Sequence, residues 1–124
     1  MDASQYLFYG LGQIAYSVAI ADGKVQKEER ARLYEMVKEG FREMGGNMSY
    51  TEIIFAIEDK DRINDGVFLY EQGMRNLEMG KHKFTPELKE GFLALLEEIA
   101  DAFDDTEASE ANLLTRFKKD VETL

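Results

Sequence analysis

The residues best suited to chemistry are acidic side chains at two points where one predicted helix ends and the next begins. Asp22 stands at the first junction, with Glu28 and Glu29 early in the following helix. Asp104 stands at the second junction, with Glu110 early in the last helix. Carboxylate oxygens suit hard divalent cations such as Ca²⁺ or Mg²⁺. In a tight antiparallel helix pair, Asp22 can share a cation with Glu28 or Glu29, and Asp104 with Glu110.

The acids are concentrated around the second junction. Residues 101–110 hold five acids, whereas 25 acids in 124 residues give an average of about two per ten residues. Acids at a helix C-terminal end oppose the helix dipole at a cost of roughly 0.3 to 1 kcal/mol each. Glu97, Asp101 and Asp104 form a like-charge row that costs about 0.2 to 0.5 kcal/mol per pair. A bound cation would reduce these unfavourable electrostatic energies. The alternative is that the acids face water and salt screens their charges.

Other catalytic or metal-binding motifs are excluded because residues that they require are missing from the sequence. The segment 59–70 comes closest to a calcium-binding EF-hand loop, but it has Ile63, Asn64 and Tyr70 where the loop needs an oxygen ligand, glycine and glutamate. His82 is the only histidine and lies between two lysines in a polar connector, so no Ser-His-Asp set is credible. The chain has no cysteine nucleophile. We therefore expect that the protein is not an enzyme.

The amino-acid composition limits the kinds of binding partner and the cellular location that we expect for this protein. The chain of 124 residues carries a formal charge of −10, which disfavours nucleic acid and anionic lipid and favours cations or basic protein surfaces. The length predicts a single domain over residues 1–124. The absence of cysteine fits a reducing compartment. The beginning lacks a signal-peptide pattern, and no apolar run is long enough to cross a bilayer. We expect a cytoplasmic protein with no membrane insertion and no nucleic-acid partner.

The elements that must position these acids are helices. Apolar residues recur at spacings of three and four, and the chain has one proline, which predicts an all-α fold of six helices. These helices are predicted to end near Asp22, to span 26–44, to open at Ser49, to span 65–80, to begin at Thr85, and to begin at 106 or 107. The predicted core stripes are Leu7, Leu11, Ile14 and Val18; Leu33, Val37, Phe41 and Met44; Tyr50, Ile53, Ile54 and Ile57; Val67, Tyr70, Met74 and Leu77; Leu88, Phe92, Leu95, Leu96, Ile99 and Phe103; and Leu113, Leu114, Phe117 and Val121.

Several aromatic side chains fall off these stripes. They fill a broad core between the helices in the favoured interpretation. If they are exposed beside one another instead, they form an apolar patch of the kind that binds another protein. The residues concerned are Tyr6, Phe8, Tyr9, Tyr16, Phe55 and Phe68.

The run Tyr-Ser-Val-Ala-Ile-Ala-Asp-Gly-Lys-Val over residues 16–25, followed by Glu29, resembles the TerB-like family of tellurite-resistance proteins. Relatives of that family form the N-terminal domains of some DnaJ-like co-chaperones. The resemblance implies an all-helical bundle of antiparallel pairs with an acidic, metal-binding surface. It also implies a stress-response setting, without an established reaction.

Carried over to this chain, the resemblance assigns metal ligation to Asp22 and Glu29 at the first junction. At the second junction it assigns the same role to Asp104 and Glu110. The sequence departs from the family at Gln26, where a Ser or Thr cap is usual. It departs again in the second copy, where Asp105 stands in place of glycine.

We therefore predict a non-enzymatic binding module that takes a divalent cation, calcium or magnesium, at its acidic helix junctions and has another protein as its partner. The alternative prediction is a protein-binding scaffold that uses an exposed aromatic surface and holds no metal. In that alternative the acids serve only solubility.

Overall fold

The fold is described from a computed structural model, which covers residues 2–20, 27–45, 66–103 and 108–124, with the backbone alone for residues 27 and 108–112. These ranges contain no strand, so the prediction of an all-α protein is confirmed. The predicted third helix, opening at Ser49, lies outside the described residues. The described helices are α1 (Ala3–Ala19), α2 (Lys27–Glu43), α3 (Gly66–Met79), α4 (Pro86–Ala102) and α5 (Ala108–Glu122), with a 3₁₀ turn at Lys81–Lys83.

Helix α1 lies at the centre of the described helices. Twelve of its 17 residues are buried, and it contacts each of the other four helices that the structure describes, α3 most extensively. A helix that is apolar around most of its circumference must be enclosed by others. Phe8 and Tyr16 are 5% exposed, so these two aromatic side chains fill the core.

Local capping fixes several helix ends. Asp2 and Gln5 form a reciprocal capping box at the start of α1, with N···O distances of 2.9 and 2.7 Å. The Thr85 hydroxyl accepts from the Leu88 N–H at 3.2 Å at the predicted start of α4. Gly45, with φ of 75°, takes the left-handed conformation that follows α2. Helix α1 ends at Ala19, before the predicted Asp22, which lies outside the described residues.

The contact between α1 and α3 depends on glycines. A Cβ atom on Gly10 would lie 2.6 Å from the Gly73 carbonyl oxygen, and one on Gly73 would lie 2.9 Å from the Gly10 carbonyl oxygen. Gly80 has φ of −113°, an ordinary conformation, yet a Cβ there would collide with the Ala3 carbonyl oxygen. Glycine is therefore required at these positions for space between two backbones.

One predicted core position is wrong. Val67 was expected on the inward stripe of α3, but it is 50% exposed. The buried residues of this helix are Leu69, Tyr70, Gly73 and Leu77. At 100° per residue Val67 lies about 110° around the helix from the centre of that buried face, so it falls at the edge of the contact with α1.

Helix α5 is held to α3 by a polar contact at its end. The Tyr70 hydroxyl donates to Asp120 Oδ2 at 2.7 Å, and the Arg116 guanidinium lies 4.8 Å from the centre of the Tyr70 ring. Arg116 also pairs with Asp120 at 3.5 Å and with Glu71 at 3.7 Å. Burial raises the pKa of Tyr70 well above its usual range, and the Asp120 hydrogen bond and charge raise it further.

This raised pKa predicts a loss of stability at alkaline pH. The unfolded chain releases the Tyr70 proton near pH 10, whereas the folded chain retains it, so stability that is complete below about pH 10 falls above that pH. Relative to Tyr70→Phe, the wild type should lose up to about 1.4 kcal/mol more per pH unit there. At neutral pH, Tyr70→Phe should cost only about 1 kcal/mol, because the Asp120 side chain is 37% exposed and water replaces the lost hydrogen bond. Urea unfolding at several pH values measures both; identical pH slopes for the two proteins contradict the assignment.

Candidate functional site

The four predicted metal ligands are only partly visible in the structure. Asp22 and Asp104 lie outside the described residues. Glu29 lies partly buried in the first turn of α2, and for Glu110, in the first turn of α5, the backbone alone is described. Among the residues whose positions are described, no three acids or histidines come close enough together to hold a metal ion. The metal site therefore stays a prediction.

The chain supplies cations of its own near the acidic end of α4. Arg32 Nη1 donates to the Ala102 carbonyl oxygen at 3.4 Å, and its guanidinium lies 5.8 Å from the centre of the Phe103 ring. A positive charge at a helix C-terminus is favourable. Lys118 on α5 lies 3.4 Å from Glu97, the first member of the like-charge row. These contacts relieve part of the repulsion for which the sequence suggested a metal ion.

The metal prediction has a direct test in Asp22→Asn. This change removes an acid from a predicted helix end, so the metal-free variant should be at least as stable as the wild type. In the wild type, Ca²⁺ or Mg²⁺ at about 100 times its Kd should add about 2.7 kcal/mol to the free energy of unfolding, and the variant should lose this response. Thermal unfolding with and without each metal measures it. Marked destabilisation of the metal-free variant would show that Asp22 has a structural role.

An open groove of about 880 Å³ lies between α2 and α4. The two helices run antiparallel, since Arg32 lies beside Ala102 whereas Met44 lies beside Gly91. The floor of the groove is apolar and is formed by side chains at helical spacing on both helices. Its members are Met36, Gly40 and Met44 on α2, and Leu88, Gly91, Ala94 and Leu95 on α4.

The rims of this groove are acidic. Five exposed glutamates line it, against one arginine: Glu35, Glu39 and Glu43 on α2, Glu87 and Glu98 on α4, and Arg32. Glu39 pairs with Arg42 at 3.6 Å. The other four glutamates form no ion pair with another described residue. The groove therefore presents negative charge that is largely uncompensated along both edges.

Two glycines shape the floor. A Cβ on Gly40 would lie 2.7 Å from Leu95 Cδ2, so the absence of a side chain at Gly40 makes room for the leucine. A Cβ on Gly91 would lie 3.4 Å from Met44 Cγ and Sδ, an ordinary contact distance. Methionine side chains are flexible and polarisable and adapt to apolar surfaces of different shapes. The floor therefore consists of a leucine side chain packed against Gly40 and methionine side chains that can change conformation around a bound group.

The sequence contained a signal for this groove that the prediction missed. Glu35, Glu39 and Glu43 recur every four residues on α2, and Met36, Gly40 and Met44 follow one position behind them. That pattern marks an acidic edge beside an apolar strip. The prediction placed Met44 inward, and it does pack, partly buried, against the core; its part in lining the groove is what the prediction missed.

The described residues form no continuous aromatic surface. Phe68 is 48% exposed, whereas Phe8 and Tyr16 are buried and Tyr6 and Tyr9 are partly buried. Phe55, the remaining member of the predicted set, lies outside the described residues. The acidic groove, rather than a cluster of exposed rings, is thus the surface in the described part of the chain that is best suited to binding.

The protein is all-helical, and its described residues form an acidic groove with an apolar floor. None of its described helices is long and apolar enough to span a membrane. Comparison of the chain with protein-family models, with curated proteins and with solved structures finds no match. The resemblance to TerB-like proteins therefore stays a prediction.

Proposed function

We propose that this protein is a non-enzymatic binding module that takes an apolar-faced segment of another protein in the groove between α2 and α4. One observation carries the proposal: a groove of about 880 Å³ with a floor of methionine, leucine, glycine and alanine and rims of exposed glutamate, of which only Glu39 has an ion-pair partner among the described residues. Apolar floors enclosed by polar rims are typical of protein interfaces. Burial of the floor against a partner supplies affinity, and the rims select the partner.

The residues of the groove favour a macromolecular partner over a small substrate. Among the residues that the structure describes, its polar groups are rim carboxylates and one guanidinium, and neither histidine nor a hydroxyl side chain lines it. Small-molecule sites place a few convergent polar groups inside an enclosed cavity. Here the glutamates and Ala94 are exposed, so the groove is open along its length.

The proposal predicts that filling the groove weakens peptide binding. Ala94 and Ala31 are both exposed helical alanines, but only Ala94 lines the groove, so Ala94→Trp and Ala31→Trp form a matched pair. Peptides selected from a random displayed library against the wild-type protein should bind Ala31→Trp normally and bind Ala94→Trp at least about tenfold more weakly, a loss of about 1.4 kcal/mol. Both variants should unfold as the wild type does.

Methionine methyl groups give an independent NMR measurement of where the peptides bind. Bound peptide should shift the methyl signals of Met36 and Met44, which line the groove, and leave Met74 and Met79 on α3 unchanged. Selected peptides that tolerate Ala94→Trp, or that shift only the α3 methionines, would place binding elsewhere. A selection that enriches no peptide would contradict the proposed function itself.

A further inference from the structure

We infer that the segment bound in the groove is a cationic amphipathic α-helix of about three turns, a conclusion that rests on the proposed function. Three features of the groove point to this occupant: the shape of its walls, its length, and the sign of its charges.

The walls favour a helix over an extended strand. Both are antiparallel α-helices, and their exposed side chains form ridges at spacings of three and four, into which a third helix packs. An extended segment is usually held by backbone hydrogen bonds to a sheet edge, and the described residues provide no strand. The floor positions Met36, Gly40 and Met44 repeat at helical spacing, as the anchor residues of a helix do.

The length of the groove sets the length of its occupant. On α4 the lining extends from Glu87 to Glu98, and on α2 from Arg32 to Met44. At 1.5 Å per residue each wall is about 16 to 18 Å long. A helix lying along the groove therefore contacts it over about 11 or 12 residues, or three turns.

The charges specify a cationic occupant. Glu35 and Glu43 on one wall and Glu87 and Glu98 on the other lack an ion-pair partner among the described residues. A helix with leucine-like residues on one face and lysine or arginine on both flanks places its cations beside these rims. The formal charge of −10 on the whole chain adds long-range attraction for such a helix.

The probe is a synthetic 14-residue peptide with a leucine stripe at helical spacing and lysine on both flanks. Two matched peptides serve as controls: one with glutamine replacing every lysine, and one with the original composition in an order that destroys the stripe. We expect the leucine–lysine peptide to bind at least about tenfold more tightly than either control. Its affinity should fall as salt is raised from about 0.03 M to about 0.3 M, because the rims are exposed.

Two protein variants separate charge from bulk. Ala94→Lys places a cation in the groove, and Ala94→Gln adds a neutral side chain of similar size, both on an exposed helical position. Ala94→Lys should bind the leucine–lysine peptide about tenfold more weakly than Ala94→Gln does. The two variants should bind the leucine–glutamine peptide equally.

A second pair of variants compares two proteins of equal net charge, because each variant replaces two glutamates with glutamine. Glu35→Gln combined with Glu43→Gln should weaken binding of the leucine–lysine peptide about fivefold. Glu78→Gln combined with Glu122→Gln, which lie outside the groove, should change it by less than about twofold. Equal losses in the two pairs would show that the total charge of the protein, rather than the groove, attracts the peptide, and would overturn the inference.

Failure of the inference is distinguishable from failure of the proposed function. If library peptides are lost in Ala94→Trp but the leucine–glutamine peptide binds as well as the leucine–lysine peptide, the groove binds proteins and its partner is not cationic. If the scrambled peptide binds equally, the occupant is not a helix. Failure of all three synthetic peptides also overturns the inference, whereas a library selection that yields no groove binder overturns the proposed function.

Discussion

Replacing Gly10 with alanine is expected to lower the free energy of unfolding by about 1 to 3 kcal/mol, although alanine is the better helix former. The added methyl group would lie 2.6 Å from the Gly73 carbonyl oxygen and 3.0 Å from the Leu77 nitrogen. These are backbone atoms of α3, so they cannot move aside as a side chain does. Relief requires α1 and α3 to separate, which opens the most extensive helix contact described in the molecule.

The control for this prediction is the same substitution at Gly91. Its added Cβ would lie 3.4 Å from two atoms of Met44, at ordinary contact distance from a flexible side chain. Gly91→Ala should therefore stabilise the protein by about 0.5 to 1 kcal/mol through helix propensity alone. Urea unfolding followed by far-ultraviolet circular dichroism gives both values. Equal effects of the same sign at Gly10 and Gly91 would show that the close contact between α1 and α3 does not exist.

Replacing Phe92 with alanine is expected to have the largest effect, a loss of about 3 to 5 kcal/mol. Phe92 on α4 is fully buried, and its ring lies edge to face with that of Phe117 on α5, with the ring centres 5.4 Å apart. Truncation removes the apolar area of the ring and leaves a cavity that the surrounding helices fill only in part. A loss of this size is a large fraction of the stability of a typical domain.

Phe68→Ala provides the matched control for the Phe92 prediction. The Phe68 ring is 48% exposed, so its removal should lower the free energy of unfolding by less than about 1 kcal/mol. A double-mutant cycle between Phe92 and Phe117 should give a coupling of about 0.5 to 1.5 kcal/mol for the ring pair. A Phe92→Ala loss no greater than that of Phe68→Ala would mean that α4 and α5 do not pack together as described.

Helix α4 serves the core with one face and the groove with an adjacent face, and Leu95 belongs to both. Phe92, Leu96 and Ile99 are buried, whereas Ala94 and Glu98 line the groove and are exposed. On α2, Leu33 and Val37 are likewise buried while Glu35 and Glu39 form the rim. The core therefore fixes the spacing of the groove walls before a partner binds, which reduces the ordering needed on association.

This division of faces explains why groove and core variants should behave differently. Substitutions at Ala94 alter an exposed side chain, so they should change peptide affinity with little change in stability. Substitutions at Phe92 should do the reverse until the fold is lost. Binding and unfolding measurements on the same proteins can therefore be interpreted separately.

Much of the helical structure was predictable from the sequence because it depends on local spacing. The stripe Leu7, Leu11, Ile14 and Val18 is completely buried, as its intervals of four and three predicted. The Thr85 cap and the break after α2 at Gly45 also follow from the residue types there. Each of these features depends on residues within a few positions of one another, so the linear sequence contains the information.

The contacts between helices were decided only by the tertiary structure. Periodicity shows which face of a helix is buried, but it does not show which helix packs against that face or how far along it the contact extends. For this reason Val67 was predicted to lie in the core. The same holds for Gly10 beside Gly73, and for Arg32 at the end of α4. The acidic groove exists because two separate rows of glutamate, one on α2 and one on α4, come to flank a shared apolar floor. That juxtaposition depends on how distant helices pack, which the spacing within each helix does not specify.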